Sequence, residues 1–389
     1  MIKHSIIFCL SLFLSSLAIV YSQIPIDAHW GKGIQLQALD SSFALKFGFR
    51  FQSLYQGVQN FKTNSYEERA MIRRCRLKFD GYAFDPTIKY KLELAISNRD
   101  TRSGRLDEMG NTANIVLDAL VRWRFANGWE LWAGQTKLPG NRERVVSSQN
   151  LQFVDRSLVN SRFTLDRDIG IQVRREHSIS GVYFRHIFAI SMGEGRNVIA
   201  SNPSNGHEYT GRLEVLPFGK FNGKEDYVGA DLTRHQSPRL SVGVTYDYNE
   251  NTPRSRGNLG SYLMDSEGEY VFSDLSSWQL DAVFKYKGVS WNAEYANRKS
   301  SNKVDGFGSG SGFVTALGVL TDANVELAGR YTVIRSDMAT SSINDITEYT
   351  LGISKYVVGH SLKVQGDVSY VEQEAFNSMM YRLQFEVAL

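Results

Sequence analysis

Cysteine and proline are scarce in this chain, and the scarcity of cysteine limits how it can be stabilised. The 389 residues include 2 cysteines and 7 prolines. Cys9 lies inside an apolar N-terminal run, so only Cys75 remains if that run is removed. A single cysteine can form no internal disulfide and cannot build a cysteine metal cluster. The fold must therefore be held together without covalent cross-links.

Long apolar runs are also missing, except at the N-terminus. There, Lys3 and His4 precede an apolar stretch, 6–20, that is too short for a confident membrane-spanning helix. Small residues follow at Val20-Tyr21-Ser22, which suits a cleavage site. We therefore predict a signal peptide over 1–22, with an uncleaved anchor as the alternative. No later stretch approaches the ~18 uninterrupted apolar residues that a spanning helix needs.

A strong net charge is absent as well. The 44 basic and 41 acidic residues give a formal net charge of +3, so any ion selectivity must come from local arrangement. The 7 histidines show no metal-ligand spacing, and the glycine-rich run 306–312 lacks the ending of a phosphate-binding loop. No set of acid, base and nucleophile stands out. We expect no enzymatic activity, no cofactor, no metal and no nucleic-acid partner.

What the chain does have is a period of two. From Phe43 onward, Phe47 and Phe49 fall on one face of an extended strand, and Lys46 and Arg50 fall on the other. A helix would scatter these phenylalanines over all its faces. The same alternation predicts strands at 74–83, 88–97, 117–125, 129–137, 168–177, 182–192, 208–218, 239–250, 275–287, 289–300, 311–320, 324–335, 345–356, 361–373 and 377–389. The total is about 16, an even number, and the stretch 31–38 could add one more.

The connections alternate between short and long. Asp85-Pro86 and Asn127-Gly128 are tight turns, whereas 58–69, 99–114 and 139–167 are predicted to be long polar loops. This alternation is typical of transmembrane β-barrels. Because backbone amides in lipid must be paired internally, the sheet has to close on itself. We therefore predict an all-β protein, a closed antiparallel transmembrane β-barrel over 43–389, after an N-terminal periplasmic segment, 23–42.

Several segments resemble a known family. They are Lys46–Gln52, the block Gly134–Gln172 that includes Arg142-Glu143-Arg144 and Arg167-Asp168-Ile169-Gly170, and Leu216–Lys220. These segments are similar to the phosphate-selective porin O and P family of outer-membrane porins. The resemblance implies a barrel of about 16 strands with an inward-folded third loop, a homotrimer, and a place in the outer membrane of a Gram-negative bacterium. It also suggests passive diffusion of small hydrophilic solutes, with anions such as phosphate as candidates.

Two groups of basic residues are candidates for the functional site. The first lies on predicted lumen-facing positions, where it would line the pore and attract anions. Its members are Lys46, Arg50, Arg74, Arg76, Lys78, Lys89, Lys91, Arg122 and Arg124. The second group lies in the loop 139–167, which we expect to narrow the pore, and comprises Arg142, Arg144, Arg156 and Arg162.

Two alternatives stay open at this stage. The lumen could simply be polar, with these charges paired to acids on neighbouring strands. The protein could also be a structural or secretion-associated barrel that anchors partner proteins without conducting ions.

Overall fold

The structure is a computed structural model that describes residues 26–101, 114–199, 205–302, 305–337 and 341–389. The predicted signal peptide, residues 1–22, lies outside the described residues. Within the described ranges, no helix is long and apolar enough to cross a membrane.

Antiparallel strands account for most of the described chain. They are β1 Ile26–His29, β2 Gly33–Gln37, β3 Phe43–Asn60, β4 Ser65–Ala83, β5 Asp85–Ala95, β6 Val116–Ala126, β7 Trp129–Lys137, β8 Arg167–Ile179, β9 Val182–Ser191, β10 Glu208–Leu216, β11 Arg239–Thr252, β12 Ser273–Tyr286, β13 Val289–Ser300, β14 Gly310–Leu320, β15 Val325–Ser336, β16 Ile346–Val358, β17 Leu362–Gln373 and β18 Ser378–Ala388. Each of β3 to β17 pairs with the next strand in sequence.

The sheet closes because the last strand returns to the first barrel strand. Residues 378–388 of β18 pair with residues 50–60 of β3, so β3 to β18 form a closed ring of sixteen strands. This confirms the predicted barrel. The hairpin β1–β2 lies outside the ring, and β2 pairs with residues 44–47 of β3, just beyond the end of β18. The possible extra strand at 31–38 is therefore β2.

The two faces of the barrel wall differ in chemistry. On the outer face of β3 and β4, Phe47 contacts Phe79 with ring centroids 5.3 Å apart, and in β18 Leu383 is 55% exposed. On the inner face, Arg50 and Gln52 are buried. An apolar exterior around a polar interior is the reverse of a water-soluble protein and suits a barrel surrounded by lipid.

One predicted loop is wrong. β3 and β4 continue almost through the predicted loop 58–69 and are joined by the four residues 61–64. Residues 65–70 are exposed whichever way they point. Where a hairpin projects into water both of its faces can be polar, so the alternation that marks a strand disappears there. The predicted turn Asn127-Gly128 is confirmed, with Gly128 at φ 75°.

The rim that carries Asn127-Gly128 also carries the two- and three-residue turns 287–288 and 359–361, and we call it the inner rim. The helical turn Asn98–Thr101 begins the connection after β5, most of which lies outside the described residues.

Candidate functional site

The connection between β7 and β8, residues 138–166, enters the barrel, and we call it the lumen loop. Its neck is closed by the Leu138 amide, which donates to the Asp166 carbonyl at 3.0 Å. It contains the short helices Arg142–Val145 and Leu158–Phe163, and the Ser157 side chain caps the second one. Its side chains contact inward positions of β3, β4 and β10 to β17, so the predicted inward-folded third loop is confirmed.

Apolar side chains anchor the lumen loop to one wall. Val159 and Phe163 are 1% and 2% exposed and pack on Val314 and Ile334 of β14 and β15. A Cβ on Gly312 would lie 2.9 Å from the Phe163 ring, so only glycine leaves room for that ring. The wall is therefore shaped to receive the loop, and the loop is a fixed part of the lumen.

A buried arginine provides the second anchor. Arg142 is 2% exposed, and its Nε donates to the Asp281 carboxylate of β12 at 2.6 Å. Its Nη atoms lie 3.5 Å from Glu214 and 3.4 Å from Asp226. A guanidinium can be buried only if such partners replace its hydration. Arg142 therefore holds the lumen loop in place and does not face passing solutes.

A third anchor joins the lumen loop to β4. A β-bulge opposite Gln52 turns two consecutive arginines, Arg73 and Arg74, toward Asp155. Their Nη2 atoms lie 2.9 and 3.0 Å from the two oxygens of that carboxylate. Burial would raise the pKa of Asp155, but Arg74 and Arg73 outweigh it and hold the pKa well below its usual range. The carboxylate is thus charged at neutral pH.

The other predicted arginines of the lumen loop make mostly local bonds. Arg144 Nε donates to Asp166 at 2.8 Å, and Arg156 donates to the carbonyls of Glu143 and Val146, at 2.7 Å each. Arg162 is half-buried, and its carbonyl accepts from Arg298 Nη1 at 3.0 Å. Of these side chains, Arg144 and Arg156 stabilise the shape of the loop.

The deeper members of the basic group on the wall are paired with acids. Arg50 Nη1 lies 3.4 Å from Glu386 of β18, and its Nη2 also donates to Ser148 of the lumen loop. Arg76 Nη1 lies 3.0 Å from Glu93. Further contacts join Arg76 to Asp100 at 2.7 Å and Lys91 to Asp118 at 2.6 Å. These pairs reduce the positive charge that a solute meets.

The residues of the basic wall group that lie nearer the inner rim are more exposed and less often paired with acids. Among the described residues, Lys46, Lys78, Lys89 and Arg124 form no ion pair with a carboxylate. Lys46, Lys89 and Arg124 are exposed, and Lys78 is half-buried. Arg122 has only a long contact of 3.8 Å with Asp80.

Arginines that sequence analysis missed extend this open basic surface. Arg174 of β8 lies over the Trp132 ring at 3.7 Å, and Arg122 lies near the same ring at 5.2 Å. Arg174 and Trp132 border a cavity of about 510 Å³ at the inner mouth. The charged residues around the cavity include Arg124, Glu130, Arg174, Glu176, Arg185, Arg212, Lys220 and Lys224. Continuing the alternation through 168–177, 182–192 and 208–218 identifies Arg174, Arg185 and Arg212 as inward-facing.

A cluster of metal-ligand types lies in the inner-rim connection after β10, at Glu225, Asp231 and His235. Asp231 accepts from the His235 ring at 2.6 Å and from the Gly288 amide at 2.8 Å. Lys285 places its ammonium 3.9 Å from Glu225. These contacts attach the inner-rim connection to β12 and to the turn that follows it, so the three side chains already have partners. The nearby Lys285 ammonium would repel a metal cation.

The comparisons with known proteins agree with this architecture. The sequence profile of the family described as "Phosphate-selective porin O and P" matches residues 45–309. A protein of Aquifex aeolicus (strain VF5), described as uncharacterized, is 23% identical over 278 residues. That alignment covers 67% of this chain and 63% of the relative, so the chain spans less than two thirds of the relative's length.

Solved structures share the fold at low identity. The anion-selective porin from Comamonas acidovorans is similar with a TM-score of 0.57 and 12% identity, over 89% of this chain and 100% of that chain. OmpT of Vibrio cholerae, in its trimer form, is similar with a TM-score of 0.55 and 10% identity, over 89% of this chain and 99% of that one.

A closed barrel of sixteen strands with an apolar outer face, a polar lumen and an inward loop defines an outer-membrane porin. The chain belongs to the phosphate-selective porin O and P family. Its place is the outer membrane of a Gram-negative bacterium. Family and fold indicate a channel rather than an enzyme.

Proposed function

We propose that this porin conducts small hydrophilic solutes by passive diffusion, with a preference for anions and with phosphate as a candidate solute. One observation carries the proposal: the acids beside the deeper basic residues, Glu93, Asp118 and Glu386, are used in ion pairs, whereas several cations near the inner mouth are not. Lys78, Lys89 and Arg124 form no ion pair with a described carboxylate. An anion near them meets positive charge in a narrow space, where screening by water is weaker than in bulk.

The shape of the lumen supports the same proposal. Because the lumen loop is anchored on β10 to β17 and at β4, a solute has to pass on the side that it leaves open. The cavity of about 510 Å³ at the inner mouth has more basic than acidic side chains around it. Several weak cationic contacts in succession favour passage over tight retention. The name of the family and that of the Comamonas acidovorans porin agree with an anionic solute.

Planar-bilayer recording in a KCl gradient tests the preference. We expect a reversal potential of the sign that chloride permeation gives. The triple variant Lys78→Gln, Lys89→Gln and Arg124→Gln should move that potential toward zero, and more at low salt than at high salt because salt screens exposed charge. The matched control is Arg335→Gln, which removes an exposed arginine beside Asp345, outside the lumen loop and the inner mouth.

Two outcomes would refute the proposal. A reversal potential of the opposite sign would show cation preference. No conductance from a folded barrel would favour the structural or secretion-associated alternative. If added phosphate leaves the chloride current unchanged, general anion diffusion replaces the phosphate assignment.

We also propose that the porin is a homotrimer, as the family resemblance implies and as the trimer form of OmpT illustrates for another porin. Native gels of detergent extracts should show an oligomer that dissociates on heating. A monomer in every mild detergent would exclude it and leave the barrel itself unaffected.

A further inference from the structure

We propose that the outer face of β7 to β12 carries a binding site for an anionic phospholipid of the inner leaflet. The site is a groove of about 520 Å³ in the wall that faces lipid. It opens on the lipid-facing side of the wall, and it requires only that the barrel spans a membrane. Its two parts are a gap that can hold an acyl chain and, beside that gap, a cation, Arg175, with an imidazole next to it.

The gap lies over a single glycine. Gly211 of β10 is flanked in register by Phe188 of β9 and Tyr246 of β11, and Trp278 pairs with Tyr246. Those three aromatic side chains are 50%, 40% and 52% exposed, and a Cβ on Gly211 would meet nothing within 4 Å. A missing side chain between large ones produces a channel in an otherwise apolar surface. Its apolar lining suits a hydrocarbon chain.

The cation, Arg175, and its neighbouring imidazole lie one row closer to the inner rim. Arg175 of β8 is exposed on the outer face and pairs in register with His186 of β9, which is also exposed. The Arg175 guanidinium lies 4.9 Å from the Trp129 ring, and His177 stacks on His186 with ring centroids 5.1 Å apart. Among the described residues, Arg175 forms no ion pair with a carboxylate.

Charge complementarity determines the occupant. An arginine on the lipid face is unfavourable unless its charge reaches the interface and finds a partner there. No acidic side chain lines the described groove, so the groove itself supplies no charged partner for Arg175. A phosphate headgroup beside Arg175 and His186 would supply it, with one acyl chain over Gly211. Anionic headgroups are attracted to an interfacial cation such as Arg175, whereas a zwitterionic headgroup offers less net charge.

A second lipid-facing groove provides an internal comparison. It lies over Gly329 of β15, with Leu317, Tyr331 and Leu351 around it. A Cβ on Gly329 would make only an ordinary contact, 3.8 Å from Leu351. Its outward lining is apolar, without a counterpart of Arg175. We infer that this groove accepts acyl chains without preferring an anionic headgroup.

The test uses the complete mature porin, stripped of lipid in detergent and then mixed with dioleoyl phosphatidylglycerol or dioleoyl phosphatidylcholine. Retained lipid is counted by native mass spectrometry. We expect preferential retention of phosphatidylglycerol. Arg175→Gln should weaken it by about fivefold, the equivalent of one interfacial cation, and Gly211→Leu should reduce retention of both lipids. The matched controls, Lys355→Gln on the outer face of β16 and Gly329→Leu in the comparison groove, should leave the preference unchanged.

Three results would overturn the proposal. These are equal retention of the two lipids, an Arg175→Gln variant that behaves like the parent, or a Lys355→Gln variant that loses as much preference as Arg175→Gln. Should Arg175→Gln fail to fold, His186→Gln tests the same headgroup contact. A cysteine at Gly211 in a Cys75→Ser background distinguishes the other occupant, because a cross-link between protomers would show that a second copy of the chain covers the groove.

Discussion

At the scale of single residues, the basic side chains of this porin divide into two kinds. Arg50, Arg74, Arg76 and Arg142 have acidic partners and are nearly inaccessible, so they hold the lumen loop and the wall together. Those closer to the inner rim, such as Lys89, are exposed and form no ion pair among the described residues. Only the second kind can act strongly on a passing anion.

The sequence could predict which residues face the lumen but not which of these charges remain unpaired. Strict alternation in β3 to β6 is enough to assign a face to Arg50 or Lys89. The partner of Arg50 is Glu386, 336 positions away, and the partner of Arg74 is Asp155 in a loop. Pairing of this kind depends on barrel closure and on the path of the loop, neither of which local periodicity contains.

A prediction at this scale concerns Asp155, which neutralises two arginines at once. Asp155→Asn should lower the stability of the barrel by about 2 kcal/mol, because two guanidiniums lose their charged partner in a largely buried site. It should also increase anion preference, since Arg73 and Arg74 become available to solutes. Thermal unfolding and bilayer reversal potentials would measure the two effects.

The control for Asp155→Asn is Asp345→Asn. It removes a carboxylate from an exposed pair with Arg335, and exposed pairs contribute little to stability. Equal effects of the two substitutions on stability would show that the ion pairs of Asp155 with Arg73 and Arg74 do not stabilise the barrel.

At the scale of elements, the lumen loop combines two kinds of attachment to the wall. Apolar side chains of the helix Leu158–Phe163 pack on β14 and β15. Of the charged side chains, Arg142 near the start of the loop pairs with β12 and Asp155 in its middle pairs with β4. The apolar contact is unusual in a polar lumen. It depends on Gly312, which a sequence pattern would interpret only as a weak point in a strand.

A prediction at this scale concerns Phe163. Phe163→Ala should cost about 3 kcal/mol, the lower end of the range for a fully buried phenylalanine. Because the lost contact is between loop and wall, the barrel should stay closed while the loop becomes looser. We expect larger and noisier single-channel conductance. Phe61→Ala, at an exposed turn, is the control and should change neither quantity. An unchanged conductance in folded Phe163→Ala would contradict the anchoring role.

At the scale of the whole molecule, the barrel is apolar on the outside and polar on the inside, the reverse of a water-soluble protein. The ring closes through hydrogen bonds between β18 and β3, so no strand of the ring has an unpaired edge within the lipid. What stabilises the protein from outside is then the match between its apolar band and the hydrocarbon around it. The alternating sequence predicted that band correctly, because it is a property of each strand alone.

A prediction at this scale tests the band. Phe79→Arg places a charge on the outer face of β4 and should destabilise the barrel by about 2–4 kcal/mol if the position lies near the middle of the membrane. Phe84→Arg, at the inner-rim turn where the side chain is 85% exposed, should cost little. Refolding into vesicles at graded urea concentrations would compare the two. Similar midpoints would show that Phe79 does not contact hydrocarbon.

The closing pair of strands also has a consequence for how the molecule comes into being. Arg50 and its partner Glu386 are 336 positions apart, so nearly the whole chain must be synthesised before β3 can pair with β18. Until then the backbone of residues 50–60 in β3 is unpaired on the side that β18 will occupy. An unpaired edge of an apolar strand can pair with other chains and so promotes aggregation. The hairpin β1–β2 covers residues 44–47 of that edge locally and early, because it needs no distant segment. The hairpin therefore pairs part of the open edge of β3 before β18 is present.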